Sequence, residues 1–506
     1  MCGEWSSTFE RKHNNCKYLR GMLGTSCLST LLVRCGNEKQ EGLYGADAAN
    51  AFAEAPPPKS PLYLKVDAAY RNWWQHNTGH VLPVDTYVQV LQAIQGHPES
   101  PRLWQIHIDK ILSTIGFKST KHEPCIYIKY TTTETIYMLR QVDDFAIACD
   151  DMETATHYWN EMDRHLKEPL KREKDLLTRH NGIDILQTED FVKVYCETYL
   201  EKIFQTKTFP LIPICNKPLP MSSQNSDIKE LEITTGPKEP ADQIALQTTN
   251  GFKYRTTTGE LIFALVTCRA DIAFPVMKLT QYNNDPAQCH FDAIKQIYKY
   301  LNNTKSEGLY FWRPTPEKTL PSVPLPQVME DTYAVCVPPS KLFTAHCFAD
   351  SDWAGNRRDR RSVSGILIML GGAAIVYKTV LQKTIALSST EAEFYALTEA
   401  GKMILYIRFV LEDLDIPQQY PTIVYEDNKG CLEMTKALKP TKRTRHVETR
   451  CFAVLDWVQT DTIDVRKIDT SDNSSDVLTK PTGRTLFYRH HDTIMGRRIP
   501  SYRSST

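Results

Sequence analysis

The sequence predicts a mixed α/β (α+β) chain in which carboxylates gather where strands end. Two observations predict this. Short runs rich in β-branched and aromatic residues, such as 136–139, 145–149, 191–195 and 365–370, alternate with longer stretches whose apolar residues recur at helical spacing. Acids stand at the edges of the strand-like runs: Asp47, Asp143 and Asp144 early, Asp350 and Asp427 late.

Composition sets the outer bounds. A chain of 506 residues has room for several domains. Lys+Arg equals Asp+Glu at 60 each, so net charge is neutral about a polyanionic partner and only local clusters can argue for one. The 14 Cys include no CxxC and no secretory leader is evident, so reduced thiols are expected. His13, Cys16, Cys27 and Cys35 match no standard zinc spacing. No apolar run approaches the roughly 20 residues of a membrane span, so no membrane is expected and the location reads as cytoplasmic or nuclear.

The elements follow in order. Residues 44–46 can end a strand with Asp47 at its tip, and a short helical turn follows through 48–52. The run of prolines at 56–58 forces an extended connection before a strand at 62–66. From Pro101, residues Leu103, Trp104, Ile108, Ile111, Leu112 and Ile115 mark an amphipathic helix. A strand at 125–129 leads into TIYMLRQVDDFAIACDD, residues 135–151. Its two apolar runs flank Asp143 and Asp144, which fits a hairpin with the acids at its turn. Neither run carries a water-facing polar stripe, so the hairpin should lie in a covered sheet. Adjacent carboxylates raise each other's pKa, and a divalent cation relieves the repulsion. A helix over 152–166 follows. With Asp47 at the same sheet edge, these acids form the layout of a two-metal site, with ions about 3.5–4 Å apart.

Residues 207–242 and 314–339 are rich in Pro, Ser and Lys and read as linkers. Strands at 346–349, 365–370 and 374–378 come next, the last two joined by a Gly-Gly hairpin turn at 371–372. Ser388 and Glu391 form a capping box that starts a helix over 390–414, which places Glu393 in the first turn. A strand at 422–425 ends on Glu426, Asp427 and Asn428, and a strand at 463–468 precedes Asp476.

These pieces resemble a known family. D-x-x-x-A-F at 47–52, G-x-x-x-S-P-R-x-W at 96–104 and Q-V-D-D at 141–144 resemble the reverse transcriptase of copia-type (Pseudoviridae) LTR retrotransposon Pol polyproteins. D-x-D-W-A-G at 350–355, S-S-T-E-A-E at 388–393, E-D-N at 426–428 and S-D-x-L-T-K-P at 475–481 resemble its ribonuclease H. The likeness extends through 116–129, 254–276, 279–311 and 489–496, including RHHDTIMG.

The resemblance implies a palm-type mixed sheet with helices, followed by an RNase H-like mixed five-stranded sheet with helices. It divides the chain into an unassigned segment 1–40, a palm 41–206 lacking recognisable fingers, a linker or thumb-side loop 207–250, a helical thumb or connection 251–313, a linker 314–344, an RNase H-like domain 345–485 and a tail 486–506. Asp47, Asp143 and Asp144 would bind Mg²⁺, with Mn²⁺ as the alternative. Phe52 would sit under the incoming sugar and exclude a 2′-hydroxyl. Gln141 stands where the family usually has Tyr and can hydrogen-bond the primer. Asp350, Glu393, Asp427 and Asp476 would hold the second set of ions; Glu391 competes with Glu393, and Asp352 reads as a neighbour. His446 would assist proton transfer or product release.

Implied partners are an RNA template, a DNA primer, an RNA–DNA hybrid, deoxynucleoside triphosphates, and the capsid and integrase parts of a polyprotein. Basic runs at 356–361, 439–445 and 167–174 fit phosphate contacts. The implied activity is RNA-directed DNA synthesis with cleavage of RNA in hybrids. The alternatives are an inactive truncated remnant, a nucleic-acid-binding scaffold, or a chain in which only the nuclease site works.

Overall fold

A computed structural model describes residues 42–213, 215–313, 343–437 and 450–497. His446, the basic run 439–445, the segment 1–40 and the linker expected from 314 to 342 lie outside the described residues. The chain divides into two units, one covering Glu41–Asn181 and the other running from Gly182 onward.

In the first unit, β1 (Gly42–Asp47) leads to the short α1 (Ala51–Glu54). A small hairpin of β2 (Tyr63–Lys65) and β3 (Tyr87–Gln89) brackets α2 (Ala68–Thr78), which buries no side chain. Next come α3 (Ser100–Thr114), β4 (Lys118–Ser119), β5 (Ile126–Tyr130), β6 (Thr135–Gln141), β7 (Asp144–Cys149), α4 (Met152–Asp163) and β8 (Lys171–Arg172). The main sheet runs β4-β5-β6-β7-β1-β8. Every pairing in it is antiparallel; the mixed strand directions expected here occur in the second unit instead. Sequential hairpins join most of its neighbours, and a hairpin can only pair antiparallel. The apolar stripe of α3, with Trp104, Ile108 and Leu112, packs with Tyr158, Trp159 and Met162 of α4 over Ile136, Met138, Phe145 and Ile147. The hairpin of β6 and β7 is therefore rooted in the core, as its unbroken apolar runs required.

The second unit opens with β9 (Ile183–Gln187) and β10 (Phe191–Tyr195), a hairpin to which β11 (Gly308–Trp312) adds beside β10. The palm expected to reach residue 206 thus ends, as a unit, at Asn181. Between these strands lie α5 (Glu197–Phe204), α6 (Asn225–Ile233), α7 (Pro240–Asn250), α8 (Tyr254–Thr267), α9 (Ala273–Thr280) and α10 (Gln288–Asn303). Two of these helices, α6 and α7, occupy the stretch read as a linker at 207–250. Pro240 sits in the first turn of α7, where its missing N–H is no loss, so its presence was no bar to a helix.

The second sheet holds β12 (His346–Asp352), β13 (Val363–Leu370), β14 (Ala373–Leu381), β15 (Thr422–Glu426) and β16 (Ile463–Lys467). Helix α11 (Ser389–Asp413) precedes β15, α12 (Lys429–Ala437) and α13 (Arg450–Gln459) separate β15 from β16, and α14 (Arg484–Ile494) closes the chain. The order is β14-β13-β12-β15-β16, antiparallel on one side and parallel where β12, β15 and β16 meet. Gly371 and Gly372 turn between β13 and β14 with φ of 63° and 92°, the left-handed backbone that a two-residue hairpin needs.

The expected tail at 486–506 is not loose where it is described: α14 buries Phe487, His490, His491 and Ile494. It packs onto the connection. Arg269 and Asp271, both fully buried, form an ion pair at 2.7 Å, and His491 Nε2 lies 3.9 Å from Asp271. Trp312 Nε1 donates to the Gly496 carbonyl at 2.7 Å, and the Tyr377 hydroxyl donates to the Leu265 carbonyl at 2.7 Å. Connection and five-stranded sheet share one core. No helix among the described residues is long and apolar enough to cross a membrane.

Candidate active sites

The first carboxylate set is built on the β6–β7 hairpin. Gln141 pairs with Asp144 across it, so Val142 and Asp143 form a two-residue turn and Asp144 is the first residue of β7. Val142 has φ 61°, a strained backbone for a β-branched residue. Three hydrogen bonds hold the turn. Trp104 Nε1 donates to the Val142 carbonyl at 2.6 Å, Arg140 Nη1 donates to the same oxygen at 3.3 Å, and the Ala48 N–H donates to the Asp143 carbonyl at 2.9 Å. Trp104 comes from the S-P-R-x-W stretch, so that stretch orients the acidic turn directly. On the other side, Asp47 at the end of β1 pairs with Asp144. The three acids thus share one sheet edge.

Their environment is open. Asp47 and Asp144 are half-buried, while Asp143 is exposed. Burial, then the charges of Asp143 and Asp47, push the Asp144 carboxyl up to about 6, although the Asn181 N–H donates to its Oδ2 at 3.0 Å. Phe52 lies on α1, half-buried against the core of this unit. The basic run 167–174 is partly spent on structure: Lys167 Nζ donates to the Ala53 carbonyl at 3.0 Å, and Arg172 pairs with Asp163.

The second set is tighter. Asp350 lies in β12 opposite Gly365 of β13. Glu393 sits early in α11, and Asp427 directly follows β15. One carboxylate oxygen from each of Asp350, Glu393 and Asp427 lies within 4.8 Å of the other two. Among the described residues no other group of His, Cys, Asp or Glu converges this closely, so Asp47, Asp143 and Asp144 do not. The choice between Glu391 and Glu393 follows from the helix cap. Ser388 Oγ accepts from the Glu391 N–H at 3.2 Å, and the Glu391 carboxylate accepts from the Leu387 N–H at 2.7 Å and the Tyr395 hydroxyl at 3.0 Å. Glu391 is committed to the cap, and Glu393, two residues on, faces the acids.

Asp476 arrives on a short 3₁₀ turn, Ser474–Leu478, packed against β13. A Cβ on Gly365 would meet Thr479 Cγ2 at 2.7 Å and the Ser475 carbonyl at 2.9 Å, so glycine is what admits this turn. The turn also delivers two residues that motif spacing did not mark. The Thr479 hydroxyl donates to Asp350 Oδ2, and Lys480 Nζ lies 3.0 Å from Asp476 Oδ1 and 3.9 Å from Asp350 Oδ2. Both stand inside the T-K-P stretch beside Asp476, which was the available signal. Asp352 is desolvated but outside the converging group.

Burial dominates the electrostatics here. It pushes Glu393 up to about 11, with the charges of Glu426, Asp350 and Asp427 adding to it. Burial likewise lifts Glu426 to about 8 and Asp476 to about 7, and raises Asp350. Glu426, wholly buried beside Asp427, was not assigned a role from sequence. Glu393 Oε2 and Glu426 Oε2 are buried with no hydrogen-bond partner among the described residues. Orphaned carboxylate oxygens in a buried acid cluster fit a divalent cation.

The basic loop at 356–361 keeps Arg357, Arg358 and Arg360 exposed while contacting residues 232–285. Asn356 Nδ2 donates to Gln281 Oε1 at 3.1 Å, Arg357 pairs with Glu232 at 3.6 Å, and Arg358 pairs with Asp285 at 3.8 Å. Those charges clamp the end of β12 to the connection.

Residues 62–222 match the family model described as reverse transcriptase (RNA-dependent DNA polymerase). The Pol polyprotein of transposon TNT 1-94 from Nicotiana tabacum is 25% identical over 400 residues, covering 78% of this chain and 27% of that protein. Over most of its length the chain is similar to Pol polyproteins of plant copia-type retrotransposons. The RE1 Pol polyprotein of Arabidopsis thaliana is likewise 25% identical over 416 residues, 81% of this chain and 25% of its own. The chain therefore spans about a quarter of the length of the Pol polyproteins it matches. A crystal structure of prototype foamy virus protease-reverse transcriptase covers 85% of it and is itself covered over 44%, at 10% identity and a TM-score of 0.18, a likeness too weak to place one residue on another.

Proposed function

We propose that this chain is the reverse transcriptase and ribonuclease H portion of a retrotransposon Pol polyprotein. Its first unit would extend a DNA primer on an RNA template, and its second would cut the RNA strand of the resulting RNA–DNA hybrid. The observation that carries this reading is the convergence of Asp350, Glu393 and Asp427 within 4.8 Å in a buried site with orphaned carboxylate oxygens. Asp350, Glu393 and Asp427, with Asp476 beside them, would hold Mg²⁺ or Mn²⁺ at the nuclease site, and Asp47, Asp143 and Asp144 would do so at the polymerase site. When bound, a divalent cation supplies charge neutralisation at the scissile phosphate and acidifies a bound water or hydroxyl.

The chain's own residues do the remaining work. The Thr479 hydroxyl and Lys480 hold the Asp350 carboxylate through its Oδ2. Glu426 anchors the bend after β15: its Oε1 accepts from the Asn428 N–H at 2.9 Å, which sets the direction of Asp427. At the polymerase site Trp104 and Ala48 hold the strained turn on which Asp143 stands. Phe52 would lie against the sugar of the incoming nucleotide, where a ring leaves no room for a 2′-hydroxyl, and Gln141 would donate to the primer strand. His446 would serve proton transfer or product release.

The test uses the full chain with Mg²⁺, a labelled RNA–DNA hybrid and, separately, a primed RNA template with deoxynucleotides. Cleavage that is lost in Asp427→Asn and retained in Asp143→Asn, with primer extension showing the reverse pattern, is expected. A chain that performs neither reaction while melting cooperatively would overturn the reading. A nuclease-only reading is favoured by one observation, the failure of Asp47, Asp143 and Asp144 to converge as the second set does; cleavage without extension would select it.

A further inference from the structure

A cavity of about 490 Å³ lies between the end of β14 and the outer face of α11. None of the acids above lines it. Its walls carry Lys378, Lys383 and Lys402 against a single carboxylate, Glu399. Glu399 is shared, lying 2.6 Å from Lys402 Nζ and 3.7 Å from Lys378 Nζ, so the cavity keeps an excess of positive charge. Lys378 is only 13% exposed, an unusual place for a lysine that has no carboxylate of its own. Three of the hydroxyls lining the cavity donate within the protein. Thr379 donates to the Leu478 carbonyl at 2.7 Å, Thr398 to the Phe394 carbonyl at 2.8 Å, and Tyr395 to Glu391 Oε1 at 3.0 Å. The lysine ammonium groups supply the charge of the cavity; they recognise charge rather than shape, and phosphate is the anion they suit.

The position of the cavity narrows the source of that phosphate. Gln382 lines it and is buried. Its Nε2 donates to Ser364 Oγ at 2.8 Å, to the Ala392 carbonyl at 2.9 Å and to Ser351 Oγ at 3.2 Å. Ser351 follows Asp350 and Ala392 precedes Glu393, so one buried amide ties the cavity wall to two of the three converging acids. The Oε1 of that amide is buried without a hydrogen-bond partner.

We propose that this lysine cavity binds a backbone phosphate of the nucleic acid held at the carboxyl-terminal acids. The assignment rests on the nuclease reading for the identity of the strand, but not for the presence of the site. Bound there, the phosphate would set the strand's register relative to Asp350, Glu393 and Asp427.

The experiment measures binding, not turnover. Full-length Asp427→Asn protein is titrated into a fluorescently labelled RNA–DNA hybrid across a series of KCl concentrations, alone and with Lys378→Met and Lys402→Met added. The added pair should weaken binding about tenfold at low salt and reduce the log–log salt slope by about one. Lys378→Arg with Lys402→Arg should restore both, and Lys229→Met, an exposed lysine on α6, should leave the slope unchanged. An unchanged slope in the Met pair, in protein whose melting matches the parent, would overturn the proposal. So would an equal loss in Lys229→Met. Calorimetric binding of inorganic phosphate by the parent, abolished in the Met pair with no change in hybrid affinity, would also overturn it in favour of a free anion. If the wild-type chain fails to cleave yet the slope still falls, the nuclease reading fails and the phosphate site stands.

Discussion

The two carboxylate sets differ in where their charge is kept. The hairpin set is half open to water: Asp143 is exposed, and the Asp144 carboxyl is displaced to about 6. The second set is more deeply buried, with Asp350 2% and Glu393 5% exposed, and around it Asp476, Glu426 and Glu393 are held near 7, 8 and 11. Water can stabilise the first set in any charge state. The second cannot be fully ionised without a compensating cation, because the desolvation of each charge in a low-dielectric site exceeds what neighbours of like sign allow. Lys480 is tethered against it by Asp476 and Asp350, and Lys467 Nζ donates to the Asp427 carbonyl. An open set tolerates loose geometry until substrate arrives, whereas a buried set must be built by close packing. That packing should therefore be the easiest point at which to break one site and spare the other.

Gly365→Val should have the largest effect. Its side chain would meet Thr479, the Ser475 carbonyl and Leu478 at 3.0 Å or less, driving the 474–478 turn away from Asp350. Overpacking of this kind costs about 1–3 kcal/mol or more. Hybrid cleavage should fall at least a hundredfold while primer extension is retained. Parallel loss of both activities would show that the difference in packing does not separate the sites.

Metal and pH come next. Glu393, Glu426 and Asp476 keep their protons to higher pH in the folded chain than a free carboxyl does. The folded state then binds more protons than the unfolded one, and stability falls as pH rises. The stability their protonated forms contribute is whole below the ordinary values of 4.5 and 3.8, and is lost as pH climbs through about 7, 8 and 11. In EDTA the melting temperature of the second unit should drop between about pH 5 and about pH 8.5, and Glu393→Gln should flatten that slope. Saturating Mg²⁺ at about a hundred times its Kd should restore about 2.7 kcal/mol at the upper pH. A melting temperature insensitive to Mg²⁺ would remove the contrast between the sets.

Lys480→Met sharpens the same point on a smaller scale. Its side chain is 36% exposed, so the loss is discounted from that of a buried pair to about 1–2 kcal/mol. The loss should appear in EDTA and shrink when Mg²⁺ is added, read as the difference in urea midpoint.

Much of this was legible in sequence, for identifiable reasons. The strand-like runs 44–46, 346–349 and 422–425 pointed to Asp47, Asp350 and Asp427, although β12 runs on past Asp350 to Asp352. The S-x-x-E pattern located the start of α11, and the structure then explains why Glu391, two residues before Glu393, is unavailable. What was not legible depends on approach between distant segments. The role of Gly365 exists only because the 474–478 turn crosses it, and Lys480 gains meaning only beside Asp350. The short helices α6 and α7 bury few side chains, so they left little apolar period to detect. The arginines at 357 and 358 read as a phosphate surface, since their partners Glu232 and Asp285 lie far away in sequence.

The smallest effect tests the open site. Trp104→Phe keeps the ring in the core of the first unit but removes the Nε1 donor from the Val142 carbonyl. Arg140 Nη1, at 3.3 Å, still reaches that oxygen, so the loss should be about 1 kcal/mol, the ordinary value of one hydrogen bond. The strained turn at Val142 would then be less firmly held and Asp143 less well aimed. Primer extension should slow several-fold, hybrid cleavage should not change, and the deficit should lie in kcat rather than in the KM for deoxynucleotide. If extension is unaffected although the first unit melts lower, the tryptophan serves the core alone, and the acidic turn holds its aim without it.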